Sequence, residues 1–156
     1  MKKLLFSSLL ALLAVTGQLT AAAADQAVGT WNLNVAKSKY SPGPVPKAMT
    51  RTYTEKGDEM SLTVKGTAAD GSAIAQQSTF KYDGKDYPFS GAAHWDALAV
   101  KRVNGTTVKS TLKKDGKVVG HSTRSISAHG KVMTLTTKYT DASGAKHDDV
   151  AVWDKQ

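Results

Sequence analysis

Glycine turns, set at short intervals along a chain that shows no helical periodicity, constrain this fold more than any other feature. They are Lys56-Gly57-Asp58, Asp70-Gly71, Asp83-Gly84, Asn104-Gly105, Asp115-Gly116, His129-Gly130 and Ser143-Gly144. Glycine supplies the positive φ that tight hairpins need. The runs between these turns are rich in Thr, Val, Tyr and Ser, which suit a pleated sheet. Several of them alternate. Met60, Leu62 and Val64 share one face and Ser61, Thr63 and Lys65 the other. Val108, Ser110 and Leu112 oppose Thr107, Lys109 and Thr111, and Met133, Leu135 and Tyr139 oppose Thr134, Thr136 and Lys138. A period of two gives each strand one wet and one dry face.

This pattern predicts an all-β chain of about ten strands, near 29–36, 48–56, 60–67, 73–82, 85–90, 96–103, 106–113, 117–127, 131–140 and 145–155. Short links make sequence neighbours spatial neighbours. A long meander with one dry face hides it, and loses its unpaired edges, by closing into an antiparallel up-and-down barrel. A β-sandwich is the alternative, and the scarcity of long crossovers argues against it. The one unusual link, Ala36 to Lys47, carries Pro42, Pro44 and Pro46 and reads as a stiff extended connector.

The N-terminus reads as a secretory signal peptide over residues 1–24. Lys2 and Lys3 precede an apolar run from Leu4 to Val15, and Ala22-Ala23-Ala24 fits a small-residue cleavage site before Asp25. The run is shorter than the ~20 residues that span a bilayer. The reading is therefore an exported protein, periplasmic or secreted, with one domain at 25–156 and no transmembrane segment once mature. The chain has no cysteine, hence no disulfide, thiolate nucleophile or cysteine metal site. The net charge of +8 falls to +6 when Lys2 and Lys3 leave. Lysines are scattered, with no basic run and no aromatic interleaving, so no nucleic-acid partner is expected. Lys65, Lys109 and Lys138 near strand centres are incompatible with a lipid-facing band.

Gly29-Thr30-Trp31 opens the first strand. A G-x-W there, followed by hairpin-linked strands, resembles the calycins, the group of lipocalins and fatty-acid-binding proteins, and most nearly small exported bacterial lipocalin-like domains. The resemblance implies a binding barrel in which Gly29 and Trp31 close one end. It departs from fatty-acid-binding proteins, whose two lid helices have no room in the proline segment, and from lipocalins, whose barrel is followed by a helix.

The arginines are Arg51, Arg102 and Arg124, and each is in phase with apolar neighbours, whereas lysines mostly take the other face. A guanidinium inside a barrel is costly unless paired, and well shaped to grip a carboxylate. By resemblance to the interior Arg and Tyr of fatty-acid-binding proteins, Arg51, Arg102, Arg124 and Tyr53 become an anion-binding set. Gln76 and Tyr82, in phase with Phe80, add hydrogen bonds. A competing reading stacks Arg124 on Trp31, as an arginine does in lipocalins, and pairs the others with Glu55 or aspartates. The histidines His94, His121, His129 and His147 have no metal-ligand spacing, and no hydrolase, phosphate-loop or zinc motif occurs. Neither an enzyme nor a cofactor is expected. The function read is binding of a small hydrophobic or amphipathic, acidic molecule in the barrel. The alternative is an interaction, inhibitor or envelope-stress barrel with a filled core.

Overall fold

The computed structural model describes residues 24–156. The expected export signal lies outside them, save for its last residue, Ala24. Ten strands follow in order: β1 Gly29–Leu33, β2 Ala48–Lys56, β3 Glu59–Thr67, β4 Ala73–Phe80, β5 Asp83–Ser90, β6 Ala97–Arg102, β7 Thr107–Lys114, β8 Lys117–Ile126, β9 Val132–Thr140 and β10 Lys146–Lys155. Each pairs antiparallel with its neighbours in sequence, and β1 also pairs with β10, which closes the ring. The result is the up-and-down barrel that the alternation predicts, not a sandwich.

The dry faces point inward. Met60, Leu62, Val64, Val108, Leu112 and Met133 are buried, while Lys65, Lys109 and Lys138 stand exposed outside. No helix among the described residues is long and apolar enough to cross a membrane.

One end of the barrel is shut by packing. Trp31 and Trp153 are wholly buried beside Met60 and Met133. The Trp31 indole donates to the Ala27 carbonyl at 2.7 Å, so its polar edge is satisfied. Register places Trp31 opposite Lys155, and the Lys155 ammonium sits 5.0 Å from the Trp31 ring centroid. Gly29 precedes the tryptophan at φ +123°, and a Cβ there would come 3.0 Å from Lys155 Cε. Since L-residues avoid this backbone, Gly29→Ala should cost about 1–2 kcal/mol of unfolding free energy in urea melts. A wild-type midpoint would show that the glycine of the motif has no structural role.

Three local features shape the ring. β1 ends at Leu33 rather than 36, because Asn34 Oδ1 accepts from Lys37 N at 3.1 Å and caps a short 3-10 turn, Val35–Lys37. The β4–β5 seam is joined by two residue pairs, Gln77 with Ser90 and Ser78 with Phe89. Pro88 has no N–H to donate, and Ser78 Oγ bonds its carbonyl at 2.7 Å. The proline segment runs beside β10. Lys39 and Val150 exchange backbone bonds of 2.8 and 2.7 Å, and Asp148 N donates to the Ser41 carbonyl at 2.7 Å. Pro42 and Pro44 are exposed and Pro46 is buried.

Candidate functional site

The barrel holds a cavity of about 460 Å³. Its middle is apolar, with Leu62, Phe89, Leu98, Val100, Leu112 and Leu135 among the lining residues. Tyr40, Pro46, His94, Trp95, Tyr139 and Asp149 line its opposite end, the mouth. Toward the closed end the lining turns polar through Arg51, Tyr53 and Arg124, which β2 and β8 project inward in phase with Met49 and Ile126.

Arg51 is partly buried, and its Nε donates to the Tyr53 hydroxyl at 2.7 Å. Its guanidinium carbon lies 5.5 Å from the Tyr53 ring and 5.6 Å from that of Trp153. Among the described residues no carboxylate comes within 4 Å of it. Arg124 is deeply buried; its Nη2 donates to the Tyr82 hydroxyl at 3.1 Å and stands 3.6 Å from Asp25 Oδ1. Burial disfavours the Arg124 cation, but the Tyr53 and Tyr82 hydroxyls beside it more than compensate, and it stays charged. Burial likewise opposes ionisation of the Tyr53 phenol, yet Arg51 and Arg124 outweigh it and lower its pKa. Tyr82 goes the other way: burial dominates and pushes its phenol up to about 12.

Asp25 organises the closed side of this cluster. Its side chain is buried, and it accepts from Arg102 Nη2 at 2.6 Å and from Ala27 N at 2.7 Å. Its own backbone N–H donates to Glu55 Oε2 at 3.2 Å. Burial works against the Asp25 carboxylate, but the Ala27 bond, Arg124 and Arg102 together hold its pKa below the usual range.

Of the six expected ligand residues, Arg51, Tyr53, Gln76 and Arg124 line the cavity. Arg102 and Tyr82 do not. Arg102 is at the last residue of β6, where inward phase carries the side chain to the barrel end; it lies 4.2 Å over the Tyr82 ring and pairs with Asp25. The cation over Trp31 is Lys155, not Arg124. Arg102 thus has the aspartate partner of the competing reading, and that aspartate is Asp25. A further signal sits in the tryptophans. The indole N–H of Trp31, away from the cavity, is bonded. Those of Trp95 and Trp153, which line it, are buried without an acceptor, as is Arg124 Nε. These three orphan atoms are all donors.

Of the histidines, His94 lines the mouth of the cavity, its ring centroid 5.7 Å from that of His147. His121 and His129 are exposed. His147 Nε2 lies 3.0 Å from Asp141 Oδ2, and Ser143 Oγ is 2.6 Å from Asp141 Oδ1. The carboxylate thus stands between hydroxyl and imidazole, so the imidazole is not placed to take the serine proton. Asp141 also accepts from the Ser143 and Ala145 amides, which marks it as the staple of the β9–β10 turn.

No protein-family model and no curated protein matches the sequence. Solved structures do resemble the fold. One is the zebrafish ileal bile acid-binding protein complexed with cholic acid, at TM-score 0.56 and 15% identity, covering 84% of this chain and 99% of that one. Another is EF1p2_mFAP2b bound to DFHBI, at TM-score 0.51 and 12% identity, covering 84% and 94%. At these identities the likeness is one of fold, a closed antiparallel barrel.

Proposed function

We propose that the protein is a non-enzymatic carrier that binds one small amphipathic acid inside the barrel, its carboxylate on Arg51 and its apolar part in the cavity. The observation that carries this is the Arg51 guanidinium: it lines the cavity, engages Tyr53 through Nε alone, and has no carboxylate within salt-bridge reach among the described residues. An interior cation without a counter-charge is costly. A ligand carboxylate supplies that charge and accepts from the remaining guanidinium N–H groups in the geometry that arginine favours.

The other two arginines do not compete for the same role. Asp25 sits against both Arg102 and Arg124, so Arg51 is the arginine of the three that is left without a carboxylate partner among the described residues. Arg124 Nε and Trp153 Nε1 are further donors without acceptors near that charge. The volume, about 460 Å³, falls within the range of small-molecule sites and favours a hollow barrel over a filled one. Each buried ligand CH₂ contributes about 0.8 kcal/mol. Barrels of this fold hold cholic acid and DFHBI in the two structures compared above. Lys2, Lys3, the Leu4–Val15 run and Ala22–Ala24 support export to the periplasm or the medium as part of the same reading.

Titration calorimetry with decanoic acid and 1-decanol tests the proposal. The acid should bind about tenfold or more tightly than the alcohol, because the charge-assisted bonds are available to it alone. Equal affinities, or no binding of either, would remove the carboxylate grip.

A further inference from the structure

The loop between β5 and β6 brings a second hydrogen-bond donor to the other end of the cavity. Gly91 begins it at φ +82°, where a Cβ would come within 1.9 Å of the Ala75 carbonyl oxygen. Only glycine lets the chain pass that close, and the pass lays Trp95 against the mouth. The Trp95 ring is held edge-on by Phe89 at 6.2 Å and by Tyr139 at 5.3 Å. Its indole N–H is buried with no acceptor, although Trp95 lines the cavity. A buried Trp N–H ordinarily finds a partner, and in this barrel that of Trp31 does.

The two ends are well separated. Arg124 pairs in register with Leu135 on β9, and Tyr139 lies four residues further along the same strand. At the rise of an extended strand, reduced by the tilt of a barrel, that is about 10–13 Å. A donor at that distance from the arginines meets the far end of a ligand, not its carboxylate.

Building on the carrier reading above, we infer that Trp95 is a specificity residue that selects acids bearing a second oxygen, hydroxyl or carbonyl, at the end remote from the carboxylate. A plain fatty acid leaves the Trp95 N–H unbonded; an ω-oxygenated acid satisfies it, since a hydroxyl or carbonyl oxygen is an acceptor.

Decanoate and 10-hydroxydecanoate are the probes, titrated into the wild type and Trp95→Phe. In the wild type the hydroxy acid should bind about three- to tenfold more tightly, the size of one added neutral hydrogen bond. Trp95→Phe should erase that preference, so that the two acids bind the variant with equal affinity. In wild-type protein labelled with ¹⁵N-tryptophan, the hydroxy acid should shift an indole N–H signal that decanoate leaves in place, a readout that needs no variant. If both acids bind the wild type equally, or the preference survives in Trp95→Phe, the selectivity role is wrong and the carrier reading stands. If neither acid binds, the carrier reading fails and the inference goes with it.

Discussion

Asp25→Asn should lower the unfolding free energy at pH 7 by about 3 kcal/mol, the penalty for leaving a buried ion of a pair without its partner. The geometry predicts where that cost arises. Asp25 is buried, and it is the carboxylate within reach of both Arg102, at 2.6 Å, and Arg124, at 3.6 Å. Arg102 is half open to solvent and regains water when the charge is removed. Arg124 is sealed in the barrel and does not, so it accounts for most of the loss. Asparagine keeps the shape and can still accept from Ala27 N, which isolates the charge. The pH dependence follows from the direction of the shift. The folded-state pKa of Asp25 is depressed, so its contribution is complete above the ordinary carboxylate value, near 4. It declines as pH falls below that value and is gone beneath the depressed one. The gap between wild type and Asp25→Asn in urea melts should therefore be widest at neutral pH and narrow below about pH 4. A gap under 1 kcal/mol at pH 7, or one that widens in acid, would show that the ion cluster does not hold the closed end.

The parts of this molecule that were legible in the sequence are those governed by local rules. Turn glycines and period-two alternation mark the strands within a few residues, because both depend on neighbours along the chain. The same alternation turns Arg51 and Arg124 inward, and that is where they are. Phase does not report depth along the barrel, however. Arg102 shares the inward phase but ends β6, so it meets Asp25 at the rim and not the cavity. Asp25 itself lies outside any strand and just past an expected cleavage site, 77 residues from Arg102, and nothing local marks it as a buried counter-ion. Lys155 over Trp31 depends on the pairing of the first strand with the last, a register that closure sets. Trp95 is in a loop without periodicity, and only the path of that loop over Ala75 reveals its place at the mouth.

Arg51→Met should reduce decanoate affinity about 10- to 100-fold, the size of one hydrogen bond to a charged group, while 1-decanol binds as before. The methionine keeps an unbranched apolar stem against Tyr53 and Trp153 and removes only the charge and the donor fork. Arg51→Lys separates those two properties: it keeps a point charge without the planar pair of donors and should fall between wild type and Met. Stability should move the other way from binding. Arg51 shares the Tyr53 environment with Arg124, a like charge, and among the described residues no carboxylate within 4 Å offsets it. Removing it relieves repulsion and the cost of holding a cation in a largely apolar barrel. The Tm of ligand-free Arg51→Met should thus equal or exceed that of the wild type, as for a residue kept for binding at some expense in stability. An Arg51→Met protein that melts well below the wild type yet binds decanoate normally would make Arg51 a structural residue, and the ligand carboxylate would then need another partner.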